Sequence, residues 1–148
     1  MERITDEVVV SAPLDRVWEA IQDPVQHARW HPFATSIEGE HALGSTRRCS
    51  VVIGNKPGTT EERCTTYTPA SRIMWTIESD SAGFTRMVSD WTAGFSVSPE
   101  EATTTRVTAE SVFEPRGLPV RLMMPMVRRK FHQTQRAILD GLKEHAER

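Results

Sequence analysis

The chain has 148 residues, the size of one domain (1–148), and can bury a core without disulfides or metal. Its 38% hydrophobic and 26% charged content is that of a soluble globular protein. A formal net charge of −2 gives no reason to expect a nucleic-acid partner, and no apolar run nears the roughly 20 residues of a membrane span.

The opening MERITDEVVV carries acids and no basic stretch before an apolar run. It is not read as a signal peptide, so a cytoplasmic location is expected, with Cys49 and Cys64 as free thiols. The first strand is expected over Ile4–Val10. Ser11 is a fair N-cap for the helix that follows, with Pro13 early in it. Val17, Trp18 and Ile21 fall at helical spacing, and Asp23-Pro24 ends the helix because the residue before proline disfavours the α region. Val25–His31 forms a second short helix closed by Pro32.

The middle of the chain reads as β. Residues 45–53 and 59–68 flank Gly54-Asn55-Lys56-Pro57-Gly58, a hairpin signal whose turn is expected at Lys56-Pro57. Residues 72–78, RIMWTIE, alternate. Residues 86–97 and 103–114 follow, rich in Thr, Val and aromatics, around a Ser98–Glu101 turn. Gly117-Leu118-Pro119 opens a helical tail with Val127, Phe131, Thr134, Ile138 and Leu142 on one stripe, and Pro125 kinks it or marks its true start. A strand, two short helices, about six strands and a long helix argue α+β, with the last helix on one face of an antiparallel sheet.

Alternation also says which side chains face inward. Arg47 and Cys49 share parity with Val51 and Ile53, and the matching set is Thr60, Glu62, Cys64 and Thr66. With the turn at Lys56-Pro57, Arg47 and Glu62 meet only diagonally, while Cys49 and Cys64 are neighbours. An inward charge must be paired, hydrated or functional. So Arg47 and Glu62 either reach solvent at strand ends, pair with each other, or anchor a ligand. Trp75 points inward with Ile73 and Ile77, and Trp91 with Met87, Ala93 and Phe95. Met123, Met124 and Met126 flank Pro125 as a pocket lid or as plain packing. Arg121, Arg128, Arg129, Lys130 and Arg136 give the last helix a basic face, either simply solvated or drawn to an anionic head group or carrier protein.

The segment Ala12-Pro13-Leu14-Asp15-Arg16-Val17-Trp18, then Asp23-Pro24 and Trp30-His31-Pro32, Gly44 and the terminal helix, resembles the START-like superfamily, also called SRPBCC. Within it, the chain is similar to the polyketide cyclase/dehydrase-type proteins over essentially its whole length. The resemblance implies a helix-grip fold: a curved antiparallel sheet wrapped around a long C-terminal helix, two short helices after the first strand, and an apolar cavity between sheet and helix. Such a cavity takes a lipid, polyketide or aromatic metabolite. Its expected lining is Trp30, His31, Arg47, Glu62, Trp75, Met87, Trp91, Met123, Met126 and Val127.

His27 and His31 lie one turn apart, but a metal site needs three or four ligands, and Ala28 stands where the zinc-protease motif has glutamate. No metal or organic cofactor is therefore expected. No nucleophile elbow or phosphate loop occurs. General acid–base work is open to His31, His132, Glu62 and Tyr67, with Arg47 as a companion charge. His27 is expected at the surface. Three functions follow: a binder of an apolar small molecule, a cyclase or dehydratase acting on one, or a protein-interaction or stress-related domain. A homodimer is compatible with the sequence, which carries no signal for it.

Overall fold

The computed structural model describes residues 1–148. In chain order the elements are β1 (Glu2–Val10), α1 (Leu14–Gln22), α2 (Pro24–Trp30), β2 (Ala34–Gly39), β3 (Thr46–Ile53), β4 (Lys56–Thr68), β5 (Arg72–Asp80), β6 (Val88–Glu101), β7 (Thr104–Pro115), α3 (Gly117–Leu122) and α4 (Met124–Ala146). The seven strands form one antiparallel sheet in the order β1-β7-β6-β5-β4-β3-β2. Strands β2 to β7 are sequential neighbours, and β1 closes the far edge on β7. The expected α+β helix-grip architecture is observed, with the sheet curved around α4. The edge strand β2 is the one not located in the sequence, being short and mostly exposed.

Several boundaries move. The β3–β4 turn is Gly54-Asn55, not Lys56-Pro57: both residues have positive φ, 57° and 68°, as a two-residue type I′ turn requires. Ile53 then pairs with Lys56, and every pair in the hairpin shifts with it. Cys49 lies opposite Thr60 rather than beside Cys64, so the two thiols are not cross-strand neighbours. Strand β6 runs through the expected Ser98–Glu101 turn, and the chain reverses into β7 only after Glu101, with an irregularity at Pro99/Glu101 that accommodates the proline. Helix α1 starts at Leu14 with Pro13 at its N-cap, so Ser11 does not cap it. Pro125 sits in the first turn of α4, where its missing N–H costs nothing, and so marks the true start of the long helix.

The main core lies between sheet and helices. Val17, Ile21, Leu139 and Leu142 from α1 and α4 meet Ile73, Trp75, Phe95 and Val107 from the sheet. A smaller cluster of Ile4, Val88, Phe113 and Met124 fills the end where α4 begins, with Phe84, Trp91 and Phe131 against it. The strongest burial on α4 follows Gln135, Leu139, Leu142 and Ala146, one edge of the expected stripe. Its flank of Phe131, Thr134 and Ile138 is left to border cavities.

Gly141 decides how closely α2 and α4 approach. A Cβ there would lie 2.5 Å from the Trp30 carbonyl oxygen. Helix propensity alone would make alanine better by about 1 kcal/mol. The clash is with backbone, so it outweighs that gain by forcing the helices apart at a cost of about 1–3 kcal/mol. Gly141→Ala should therefore lower the urea unfolding midpoint, whereas a stabilised variant would show that α2 yields freely.

Candidate functional site

The inner site grows from the β3–β4 register. With the turn at Gly54-Asn55, Arg47 lies directly opposite Glu62, and both point inward. Arg47 Nε and Nη2 donate to Glu62 Oε1 at 3.0 and 2.8 Å. Glu62 Oε2 accepts from the Thr60 hydroxyl at 2.7 Å. On the other flank Arg47 faces Gly39 of β2. Any Cβ at Gly39 would strike the Thr46 carbonyl oxygen at 2.5 Å, so this approach needs glycine. Two residues on, His41 Nε2 accepts from Arg47 Nη1 at 2.8 Å. The guanidinium carbon stands 3.6 Å from the centroid of a Trp75 ring, a cation–π contact. The side chains of Arg47 and Glu62 are only 8% and 12% exposed, so this is a buried ion pair with every arm of the cation engaged.

Helix α2 brings two histidines to the same place. Asp23 accepts from Val25 N–H and Pro24 opens the helix, fixing its start. His27, expected at the surface, is buried and is corrected to an interior group. Its Nδ1–H donates to the Ile21 carbonyl at 2.8 Å, so Nε2 keeps its lone pair. His31 follows at the C-cap. Its Nδ1 accepts from the N–H groups of Phe33 and Ala34, both at 3.1 Å, which places the proton on Nε2. The two rings stack with centroids 5.6 Å apart. One offers an acceptor and the other a donor.

Burial first, and the Arg47 charge second, hold these imidazoles neutral. His27 titrates well below its ordinary value, and His31 and His41 are lowered to about 4. Glu62 is held below its ordinary range: burial pushes it up, but the Arg47 charge and the hydrogen bonds from Thr60 and Arg47 outweigh that. At neutral pH the site is thus one cation, one carboxylate and three neutral rings.

Two cavities meet at Trp91. An inner one of about 140 Å³ is lined by His27, His31, Arg47, Glu62, Trp75 and Phe95 among others. An outer one of about 360 Å³ is nearly all apolar, with Val51, Ile53, Phe84, Met87 and Phe131 in its wall. Trp91 borders both, on a bulge where Asp90 has φ 53°. Its indole N–H is buried without a partner.

Of the sequence-predicted lining, His31, Arg47, Glu62 and Trp75 come together in the inner cavity, Met87 lines the outer one, and Trp91 lines both. Trp30 is instead a core anchor whose indole N–H donates to the Ala20 carbonyl at 2.7 Å. Met123 and Met126 are exposed rather than a lid, and Val127 packs on the small cluster beside Phe113. His132 lies outside the cavities against Asp6, and Tyr67 packs on Trp18 in the core. His41 was not foreseen: it sits in the loop after the strand that sequence did not locate, so no register could place it.

The family described as Polyketide cyclase / dehydrase and lipid transport matches residues 1–147. Among solved structures, the chain is similar to the Zhui aromatase/cyclase from Streptomyces sp. R1128, with a TM-score of 0.79 and 21% identity over 99% of this chain and 94% of that one. A START superfamily protein from Mycobacterium smegmatis superimposes with a TM-score of 0.80 at 18% identity, covering 98% of this chain and 97% of the other. The di-domain ARO/CYC BexL, of the BE-7585A biosynthetic pathway, gives 0.85 at 20% identity over 99% of this chain and 47% of its own. At these identities the likeness is one of fold. No curated protein sequence matches.

The neutral rings make stability depend on pH. In the unfolded chain each histidine takes up a proton near 6.5, whereas folded His31 and His41 stay unprotonated down to about 4. The unfolded state therefore binds more protons across that window, and acid removes stability at roughly 1 kcal/mol per pH unit for each ring. The depressed Glu62 acts in the same direction lower down: its contribution is present above 4.5 and lost as pH falls through its folded value. Urea midpoints should fall steadily from pH 6.5 to 4, and a His31→Gln variant should show a shallower slope. Equal slopes in the two proteins would contradict the neutral assignment of His31.

Proposed function

The chain belongs to the polyketide cyclase / dehydrase and lipid transport family, and from that membership and the site's geometry we propose that it binds a largely apolar small molecule whose oxygen-bearing end enters the inner cavity. The observation that carries this is the pairing of the two cavities. The outer one offers apolar wall and little else, so it supplies affinity by removing ligand surface from water. The inner one offers His31 Nε2–H, the His27 Nε2 lone pair and the Arg47 cation, which supply orientation. A hydroxyl or enol satisfies both rings, donating to His27 and accepting from His31. A methyl group there would leave both unpaired, and an ammonium would meet Arg47.

A second reading, a cyclase or dehydratase, is favoured by the convergence of His31, Arg47 and Glu62 on one cavity wall. A donor and a cation beside a carbonyl oxygen stabilise the enolate that forms when a neighbouring carbon loses its proton to the Glu62 carboxylate. The chain's imidazoles are weak bases in their lowered range, so turnover in this site draws on orientation and oxyanion stabilisation more than on strong proton abstraction.

Two probes separate these statements. β-Naphthol and naphthalene share an apolar body, and only the first has a hydroxyl. Calorimetry should show β-naphthol bound about tenfold more tightly, the worth of one or two net hydrogen bonds. His31→Phe should erase the difference while naphthalene binding persists. Uptake of neither compound by the wild type would end the binding reading. For turnover, the test is cyclisation of a poly-β-ketone analogue by wild type, Glu62→Gln and His31→Ala. Full activity in both variants would remove these residues from the chemistry.

A further inference from the structure

Large apolar side chains stand in water along α3 and the first turn of α4, the segment that leads into Lys130 and Phe131 of the outer cavity's wall. Leu118, Leu122 and Met126 are 67%, 73% and 68% exposed. They recur every fourth residue across α3 and the start of α4, the spacing of one helical face, with the joining residue Met123 in the αR region. Across the mouth, the tip of the β3–β4 hairpin exposes Ile53, which also lines the cavity, beside the exposed Lys56. Isolated exposed leucines need no explanation, but a row of them leading toward a cavity wall does.

The charge carried by this segment has one sign. From Arg116 to Leu139 the sequence has no aspartate or glutamate, in a chain whose net charge is −2. Some cations of the segment are already used: Arg128 pairs with Glu2, Arg136 with Asp6, and Arg116 Nε donates to the Val88 carbonyl. Arg121, Arg129 and Lys130 are exposed and take part in no ion pair. Arg121 lies one turn from Leu118, while Arg129 and Lys130 lie one turn beyond Met126, so the free charges border the apolar row. Lys130 also lines the outer cavity.

We propose that this face, α3 with the first turns of α4 and the hairpin tip, docks on an anionic lipid surface and sets the cavity mouth against it. Flexible leucine and methionine side chains enter the boundary between head groups and acyl chains, while the free cations meet lipid phosphates. An acidic protein would satisfy the cations but needs shaped pockets for the apolar row. A lipid surface needs none, and an unshaped row on a short helix suits it better. The docking rests on these surface residues alone and does not depend on what the cavities hold.

The test is flotation with vesicles of phosphatidylcholine alone and of phosphatidylcholine with an equal part of phosphatidylglycerol. The wild type should float with the anionic vesicles, less so as salt rises, and not with the neutral ones. Arg121→Gln and Arg129→Gln should each lower the partition coefficient about fivefold. Leu118→Ser and Leu122→Ser should each lower it roughly tenfold. These positions are exposed, so urea midpoints and β-naphthol binding should stay at wild-type values, which separates loss of docking from loss of fold or of the cavity. Absence of flotation, as an acidic protein partner would give, overturns the proposal. So does wild-type flotation of all four variants, or a dimer in vesicle-free solution that Leu122→Ser dissociates.

Discussion

A single buried cation organises the interior. Taking a guanidinium out of water costs several kcal/mol even after relaxation, and a partner repays that only when its geometry is close to ideal. Arg47 has such a setting: two hydrogen bonds to Glu62, one to His41 and the face of Trp75. Each depends on a different element, so β2, β3, β4 and β5 must be in register at one point for the charge to be tolerated. Buried pairs of this kind seldom add net stability over apolar residues of similar volume. What the pair supplies instead is a fixed positive potential beside a cavity, which an apolar substitute cannot supply.

That potential reaches the histidines. Burial alone would keep them neutral, and the Arg47 charge adds to it, so none competes with the guanidinium for Glu62. Neutral imidazoles then need their tautomers fixed, and backbone does this. The end of α1 supplies the Ile21 carbonyl to His27, and the chain leaving α2 supplies two N–H groups to His31. The short helix between Pro24 and Pro32 is therefore a bracket that sets opposite hydrogen-bond polarity on two stacked rings. Trp30, between them in sequence, ties the bracket to α1 through the Ala20 carbonyl.

Much of this was legible because side-chain parity survives register errors of even size. A turn at Lys56-Pro57 differs from the observed one by an even offset, which leaves Arg47, Cys49, Thr60 and Glu62 on the inward face. What the error hid was partnership: Arg47 opposite Glu62, and the cysteines apart. Gly54-Asn55 carried the correct signal, overridden by a Pro-Gly pair that instead sits within β4 near the sheet's end. His27 was misplaced for another reason. Helix α2 has no apolar stripe to mark its inner face: Val25 is exposed while a histidine is buried. Only tertiary packing, with the Ile21 carbonyl waiting for a donor, makes that ring an interior residue.

The division at Trp91 follows from backbone rather than from side-chain choice. The irregularity between Ser89 and Thr92 puts Asp90 at positive φ, a conformation costing a non-glycine residue of order 1 kcal/mol, and the indole N–H of Trp91 beside it is buried and unpaired. Two unfavourable features at adjacent residues persist because the ring is wedged against Phe84 and Phe131, with centroids 5.0 and 5.9 Å away. The outcome is a partition between a nearly all-apolar compartment and one that also presents His27, His31, Arg47 and Glu62. For the ligand proposed above, affinity would scale with the surface buried in the first, while discrimination would come from the second, where a mismatched group leaves a buried donor or acceptor without a partner. On that proposal, tightness and selectivity would be set by different residues and could change independently on one scaffold.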